Sequence, residues 1–286
     1  MFHKREFAFT RADFDALRRL VVKHTGIMVT DAKVEMFYAR LARRLRLLGL
    51  TDFKAYVARL HDDDGSELIE LINAITTNLT GFFREAHHFD YLADHLVPRW
   101  AVRPGVPIRI WSAGCATGEE PYSIAMVLLE QLPDVQRRDL RILATDLDTQ
   151  ALEQAQAAVY TTGQMGCLAR WPWRRWVLRG RGAQEGHIRM RPEVRALVDF
   201  RRLNLIGDWP LRRDYDAIFC RNVMIYFDTP TKKILVERLA DRLADDGHLF
   251  LGHAESLIGL APRFRPVART VYALGQAQSR DPALPE

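Results

Sequence analysis

Ile110-Trp111-Ser112-Ala113-Gly114-Cys115-Ala116-Thr117-Gly118-Glu119-Glu120-Pro121-Tyr122-Ser123-Ile124 is the stretch that decides the fold. Just upstream, Pro107-Ile108-Arg109-Ile110-Trp111 alternates and predicts a strand. Pro121 stands at a first-turn position, and Ile124-Ala125-Met126-Val127-Leu128-Leu129 continues as an apolar helix. Two glycines among small residues lie between, so the backbone can turn tightly and approach a ligand. A strand, a glycine turn and a helix N-terminus together begin a Rossmann-like nucleotide-binding sheet.

Gly114-x-Ala116-x-Gly118 lacks the full dinucleotide spacing, and Glu119 and Glu120 stand where a pyrophosphate requires amide donors. Carboxylates there favour a ligand that is cationic or rich in hydroxyls and amines. S-adenosylmethionine, with a sulfonium, an amine, a ribose and no phosphate, fits that description. The plainer reading makes both glutamates solvated first-turn residues favoured by the helix dipole.

Working outward, the period changes at about residue 107 to strand–helix alternation. Leu140 to Asp148 reads as a second strand ending in acids, and Asp146 stands where such folds grip ribose hydroxyls. Val198–Leu205 and Tyr215–Asn222 resume the sheet, the latter buried on both faces and ending in polar residues at the ligand edge. A helix from Lys232 to Ala244, an Asp245-Asp246-Gly247 turn and a strand from His248 follow. Thr270–Leu274 closes the sheet, and the polar tail 276–286 is expected to be disordered. Residues from about 160 to 200 break the rhythm with Trp171-Pro172-Trp173-Arg174-Arg175-Trp176, a glycine turn and the extended His187–Arg191. Packing of an inserted hairpin is the preferred use of those tryptophans over base stacking, because aromatics mostly bury area.

Before the sheet, residues 1–77 predict a helical domain of four helices. Thr10 caps the first, which carries Phe14, Leu17, Leu20 and Val21 and ends at Gly26. Asp31 opens the second, with Val34, Tyr38, Leu41, Leu45 and Leu48 inward and Gly49 after it. Thr51 caps a third, Asp62-Asp63-Asp64-Gly65 is a solvated turn and not a metal loop, and Ser66 caps a fourth. Arg40, Arg43, Arg44 and Arg46 cluster near the end of the second helix. They form either a solvated basic face or a docking surface for an acidic partner. His87-His88 does not suggest a metal, since helix neighbours point apart and no second pair joins them.

The bulk numbers narrow the class. The 286 residues are 48% hydrophobic and 27% charged, as in ordinary soluble domains, and the net charge of +5 favours an acidic partner. The charged start Met1-Phe2-His3-Lys4-Arg5-Glu6 is not that of a signal peptide, and no apolar run approaches a membrane span. Cys115, Cys167 and Cys220, three in number and unpaired in spacing, suit free thiols in a cytoplasmic protein.

Thr76-Thr77-Asn78-Leu79-Thr80-Gly81-Phe82-Phe83-Arg84-Glu85, Ser112–Ala125, Ala144–Asp148, Asn204-Leu205 and Asp216–Phe227 together resemble the chemotaxis receptor methyltransferases. These CheR-type enzymes use S-adenosylmethionine to methylate receptor glutamates. The resemblance implies a class I methyltransferase α/β sheet over 107–275, with a small antiparallel β subdomain inserted at about 160–200. The helical domain 1–77 would precede it, joined by a cofactor-contacting segment 78–106. Implied cofactor contacts are Asn78, Thr80, Arg84, Glu120, Asp146, Asn204, Leu205, Arg221 and Asn222, with the choice between Glu119 and Glu120 open. Catalytic roles are expected for Arg84, steering the substrate carboxylate, and Tyr226, orienting it; the alternative is that both are structural, Arg84 by pairing with a cofactor carboxylate, and no metal is expected. The implied partners are the acidic cytoplasmic helices of receptors, met by Arg40, Arg43, Arg44 and Arg46. A receptor C-terminal peptide is implied for the β subdomain, since Arg179–Arg191 is similar to the peptide-binding members.

A glutamate substrate is already a carboxylate at neutral pH. No general base is needed, in keeping with the lack of a convincing His/Asp pair. The expected protein is a monomer without nucleic-acid or membrane partners. Two alternatives stay open: the same fold acting on RNA or another protein, and a non-catalytic module that binds S-adenosylmethionine and docks to receptors.

Overall fold

A computed structural model describes residues 5–165, 172–211 and 214–275. The thiol of Cys167, the ring of Trp171 and the tail from Gln276 lie outside the described residues.

Four helices open the chain: α1 Arg11–Thr25, α2 Val34–Leu48, α3 Phe53–Asp62 and α4 Ser66–Ile75. The first begins as expected, with Thr10 Oγ1 accepting from the Asp13 amide at 3.2 Å and Asp13 returning a bond to the Thr10 amide at 2.8 Å. Gly26 ends it in the left-handed region at φ 68°. Other boundaries move. Asp31–Lys33 forms a 3-10 turn ahead of α2. Asp52 rather than Thr51 caps α3, through a 2.8 Å bond from the Ala55 amide. Ser66 is the first residue of α4, and Asp63 accepts from the amides of Gly65 and Glu67. The acidic turn thus caps a helix, which an aspartate two or three residues ahead of one does well. Phe14, Leu17, Phe37, Leu41, Phe53, Tyr56 and Leu71 pack as a core separate from that of the sheet.

The helices stop at Ile75, and Thr76 turns to extended backbone. After this come α5 His87–Tyr91, a single π turn over Leu92–Leu96 and α6 Val97–Ala101, which lie on the sheet. Then follow β1 Ile108–Ala113, α7 Glu119–Gln131, β2 Leu140–Asp146 and α8 Thr149–Ala157. The inserted strands are β3 Val159–Thr161, β4 Val177–Arg179 and β5 His187–Met190, antiparallel in the order β3-β5-β4. The short α9 Pro192–Arg195 leads back to β6 Val198–Arg202, β7 Tyr215–Cys220, α10 Thr229–Ala240, β8 Leu243–Leu251, β9 Phe264–Ala268 and β10 Val271–Leu274.

The main sheet runs β6-β2-β1-β7-β8-β10-β9, parallel through β8, with β10 antiparallel to both β8 and β9. All six residues of β1 are buried, so the alternation seen in sequence does not mark a solvent face. Arg109 fits there because its guanidinium pairs with Asp139 at 2.6 Å and its amide donates to Asp216 at 2.7 Å. The helix before β8 ends at Ala240, and Asp245-Asp246-Gly247 lies inside β8 beside a register shift. Strand β9, with Pro266 at the sheet edge where a missing donor costs least, is an element the sequence reading did not name.

A polar joint around Asp148 helps fasten the helical domain to the sheet. Asn73 donates to the Thr149 hydroxyl at 2.8 Å and accepts from the Thr149 amide at 3.1 Å. Asp148 caps α8 with one carboxylate oxygen and takes Thr76 Oγ1 at 2.6 Å and Asn78 Nδ2 at 2.7 Å on the other.

Candidate active site

Strand order reverses between β1, which runs outward to β2, and β7, which begins the other half. Open α/β sheets bind ligands at the carboxyl ends of such strands. The cavity here has that position. It is lined by the turn after β1, the ends of β2 and β6, the loop after β7, and Thr76–Gly81 with Thr25, Ile27 and Lys33 from the helical domain.

The glycine turn is shaped for close approach. Gly114 has φ 85°, and a Cβ there would sit 2.4 Å from Val223 Cγ2. Gly118 has φ 95°, and its Cβ would meet Ala155 Cβ at 2.8 Å. Asp146 holds the turn by accepting from the Ala116 amide at 2.8 Å, and its other oxygen accepts from the Asp148 amide at 3.0 Å. Burial pushes its carboxyl above the usual range, against the pull of those amides. A donor pair such as a vicinal diol would favour the ionised form again.

Glu119 and Glu120 are both buried, so neither is a solvated first-turn residue. Glu119 turns away from the cavity and accepts from Thr117 Oγ1 at 2.6 Å. Glu120 lines the cavity, taking Ser112 Oγ at 2.7 Å and Arg221 Nη1 at 2.9 Å. Its carboxyl is raised by burial, with Arg221 opposing. Arg221 also pairs with Glu85 at 3.3 Å and donates to the Arg84 carbonyl, so one buried guanidinium ties the loop before α5 to the end of β7. For Glu85 burial disfavours the charge, yet the His253 hydrogen bond and Arg221 prevail and hold it at about 2.

Asn222 follows in the left-handed region at φ 58°, a conformation Asn tolerates. Glu255 fixes it by accepting from the amides of Asn222 at 2.9 Å, Gly252 at 2.7 Å and Ile225 at 3.3 Å. The next residues form a 3-10 turn that carries Tyr226. Arg84 donates to the Leu79 carbonyl at 2.7 Å, and among the described residues no carboxylate lies within ion-pair distance of it.

All ten residues singled out as catalytic or cofactor-binding line this one cavity: Asn78, Thr80, Arg84, Glu120, Asp146, Asn204, Leu205, Arg221, Asn222 and Tyr226. Of these, Asn78 is also tied to Asp148, and Asn204 to the His24 carbonyl at 2.7 Å. The arginines of α2 do not form one free face. Arg44 grips Glu67 of α4, Arg46 pairs with Glu6 at 2.7 Å, and Arg40 donates to the Thr76 carbonyl at 2.6 Å. Arg43 and Arg46 are both exposed, and among the described residues Arg43 has no carboxylate within ion-pair distance. His87 and His88, expected to diverge, have ring centroids 4.1 Å apart, because His87 is only the first residue of its helix. With Glu85 they could surround a cation, but Arg221 beside Glu85 puts positive charge there already.

Sequence reasoning passed over Asp148, Glu255, Glu85 and Lys33. Asp148 had a legible signal, an aspartate capping the start of an apolar run. Glu255, Glu85 and Lys33 had none, since their partners come from distant segments.

The residues fit S-adenosylmethionine. Carboxylates line the cavity in place of a phosphate cradle, Gly114 allows close backbone approach, and Ile27, Leu203, Leu205 and Phe227 supply apolar walls. The strand order, its antiparallel β10 and this cavity define a class I S-adenosylmethionine-dependent methyltransferase. The family described as CheR methyltransferase, SAM binding domain, matches residues 78–273, and its all-alpha domain matches residues 12–76. The chain therefore belongs to the CheR methyltransferase family. It is 43% identical over 96% of both chains to chemotaxis protein methyltransferase 2 of Pseudomonas aeruginosa. To the chemotaxis protein methyltransferase of Escherichia coli it is 44% identical, over 94% of this chain and 93% of that one. That of Salmonella typhimurium is 42% identical over 94% and 92%. Among the described residues no helix is long and apolar enough to cross a membrane.

Proposed function

We propose that this enzyme methylates glutamate side chains in the cytoplasmic helices of chemotaxis receptors, giving glutamate methyl esters and S-adenosylhomocysteine. The observation that carries the reading is that Arg84, which among the described residues has no carboxylate partner, and Tyr226 line one cavity whose described lining includes no histidine. A substrate that arrives as a carboxylate needs no base. It needs an anion seat and alignment with the methyl donor.

When bound, S-adenosylmethionine supplies an electrophilic methyl on a sulfonium. In this reading Asp146 holds the ribose hydroxyls, Glu120 the polar amino-acid end, and Asn204 and Leu205 border the base. Arg84 and Tyr226 seat the carboxylate in line with the methyl. Asn78, Thr80 and Asn222 complete the walls, and Arg221 opposes the effect of burial on Glu120 and keeps the loop in place. The opposite charges of carboxylate and sulfonium vanish as the methyl moves. A site that strips water from both therefore favours the transition state.

Receptor docking falls to Arg43 on α2, with the hairpin of β4 and β5 as a second contact for a receptor C-terminal peptide. We place the enzyme in the cytoplasm as a monomer, without metal. RNA has less support, because Trp173 is buried and the Arg175 guanidinium already lies over the Trp176 ring, 5.2 Å from its centroid.

The test is transfer of isotope from methyl-labelled cofactor to a receptor cytoplasmic fragment or to RNA. Base-labile label on receptor glutamates is the expected result. Label on RNA, or none on either, refutes the reading.

A further inference from the structure

Lys33 ends the 3-10 turn ahead of α2, in the helical domain, yet it lines the same cavity as Arg84 and Tyr226. Its ammonium lies 5.8 Å from the centroid of the Tyr226 ring. The backbone of Met28 joins the two residues. Lys33 Nζ donates to the Met28 carbonyl at 3.3 Å, and the Met28 amide donates to the Tyr226 carbonyl at 2.8 Å. Lys33 and Tyr226 therefore hold a fixed relation across the boundary between the two domains.

An ammonium has three donors, and this one spends a single donor on protein. Among the described residues no carboxylate lies within ion-pair distance of it. Partial burial, and Arg40 nearby, both work against its charge. The ammonium stays open to the cavity and to water, and among the described residues its single hydrogen bond goes to a neutral carbonyl, which leaves its charge free for an anion. The arrangement makes sense when an anion completes it.

We propose that Lys33 is a substrate-binding residue, supplied by the helical domain, that receives the acceptor carboxylate together with Arg84 and Tyr226. This rests on the receptor-glutamate reading above. Lys33 contributes placement and not proton transfer. The bond formed joins a carboxylate oxygen to the methyl carbon, the bond broken is carbon to sulfur, and the electron pair stays on sulfur. Withdrawing electron density from the nucleophile would slow attack, so the gain from Lys33 lies in binding. The exposed side chains of Leu79 and Ile225, which line the same cavity, flank the seat with apolar surface. The acceptor glutamate should accordingly sit among small or apolar neighbours on its helix.

The experiment uses the full chain with Lys33→Met and Lys33→Arg. Initial rates are measured against a receptor cytoplasmic fragment, S-adenosylhomocysteine affinity by calorimetry, and Tm by thermal melt. The methionine variant should raise KM for receptor at least tenfold while product affinity stays within twofold and Tm holds. The arginine variant should recover most of the loss. If the methionine variant has no cooperative melt, Lys33→Gln carries the same comparison. An unchanged KM overturns the proposal, and so does a loss of product affinity without a change in receptor KM, which would assign Lys33 to the cofactor. A wild-type enzyme that does not label receptor refutes the wider reading instead, so the two failures are distinct.

Discussion

Arg44 grips Glu67 with two near-parallel hydrogen bonds, 2.8 Å from Nε and 2.7 Å from Nη2, and the Glu67 side chain is only 2% exposed. Tyr56 adds a third bond to the same carboxylate at 2.9 Å. This pair fastens α2 to α4. Removing one member of a buried pair strands the other charge, which costs roughly 3–5 kcal/mol. Arg44→Ala should therefore lower Tm sharply, while Arg43→Ala leaves it unchanged. Denaturant melts of the two variants check this, and equal stability would show that Glu67 finds water or another partner.

Arg43 carries the proposed basic docking contact. Arg43→Ala should slow receptor methylation at low salt and flatten its salt dependence, as expected for a charge that steers encounter. Product affinity should not move. Wild-type and variant rate curves of equal height from low to moderate salt would reduce Arg43 to a solvated surface residue.

Asp146 joins the glycine turn to the second strand while lining the cavity. Asp146→Ala should weaken S-adenosylmethionine binding at least tenfold, about 1.4 kcal/mol. Calorimetry on a variant that still melts cooperatively gives the answer, and unchanged affinity removes Asp146 from the ligand contacts.

Tyr226 is held through its backbone carbonyl, so its ring and hydroxyl are available to a substrate. Tyr226→Phe should lower kcat and leave cofactor affinity within twofold. Loss of cofactor binding in a folded variant would move Tyr226 into the cofactor pocket.

Acid should loosen the fold before its carboxylates titrate. Burial, aided by Arg221, pushes His88 down to about 3, and burial with Arg99 pushes His248 down to about 4. In the unfolded chain both titrate near 6.5. Below that pH the unfolded state binds more protons than the native one. The stability these neutral rings provide is complete above about 6.5 and is lost as pH falls towards their native values. The slope should approach ~1.4 kcal/mol per pH unit for each histidine. Glu85 adds its own loss only lower, between its ordinary value and about 2. Urea melts from pH 7.5 to 5 should show the first slope, and His88→Asn should reduce it. A flat profile over that window would mean that both histidines take up protons in the fold as readily as in the unfolded chain.

What was legible in the sequence is what local chain chemistry dictates. The glycine turn, the acid ending β2 and the polar end of β7 each follow a strand directly, so period and turn residues locate them without tertiary knowledge. Helical phase, by contrast, says which residues share a face but not what packs against it. The arginines of α2 share a face, and nothing near them announces that Glu67 of α4 and Glu6 would occupy two of them. Lys33 was invisible for the same reason, since its relation to Tyr226 exists only once the domains meet. Glu119 and Glu120, adjacent in sequence, separate only when α7 rotates one into the cavity and the other towards Thr117.

The joint at Asn73, Thr76, Asn78, Thr149 and Asp148 gives this enzyme the properties of a caliper. One jaw is the exposed end of α2 and the other is the mouth of the cavity, and these five side chains help set the gap, with the Met28–Tyr226 and His24–Asn204 hydrogen bonds. Were a receptor helix to rest on the first jaw, it would present residues to the second at intervals of about 5.4 Å per turn. The glutamate that enters would then be chosen by its phase and distance along the helix as well as by its immediate neighbours. Sliding the helix by a turn would change the site without changing a single contact in the catalytic machinery.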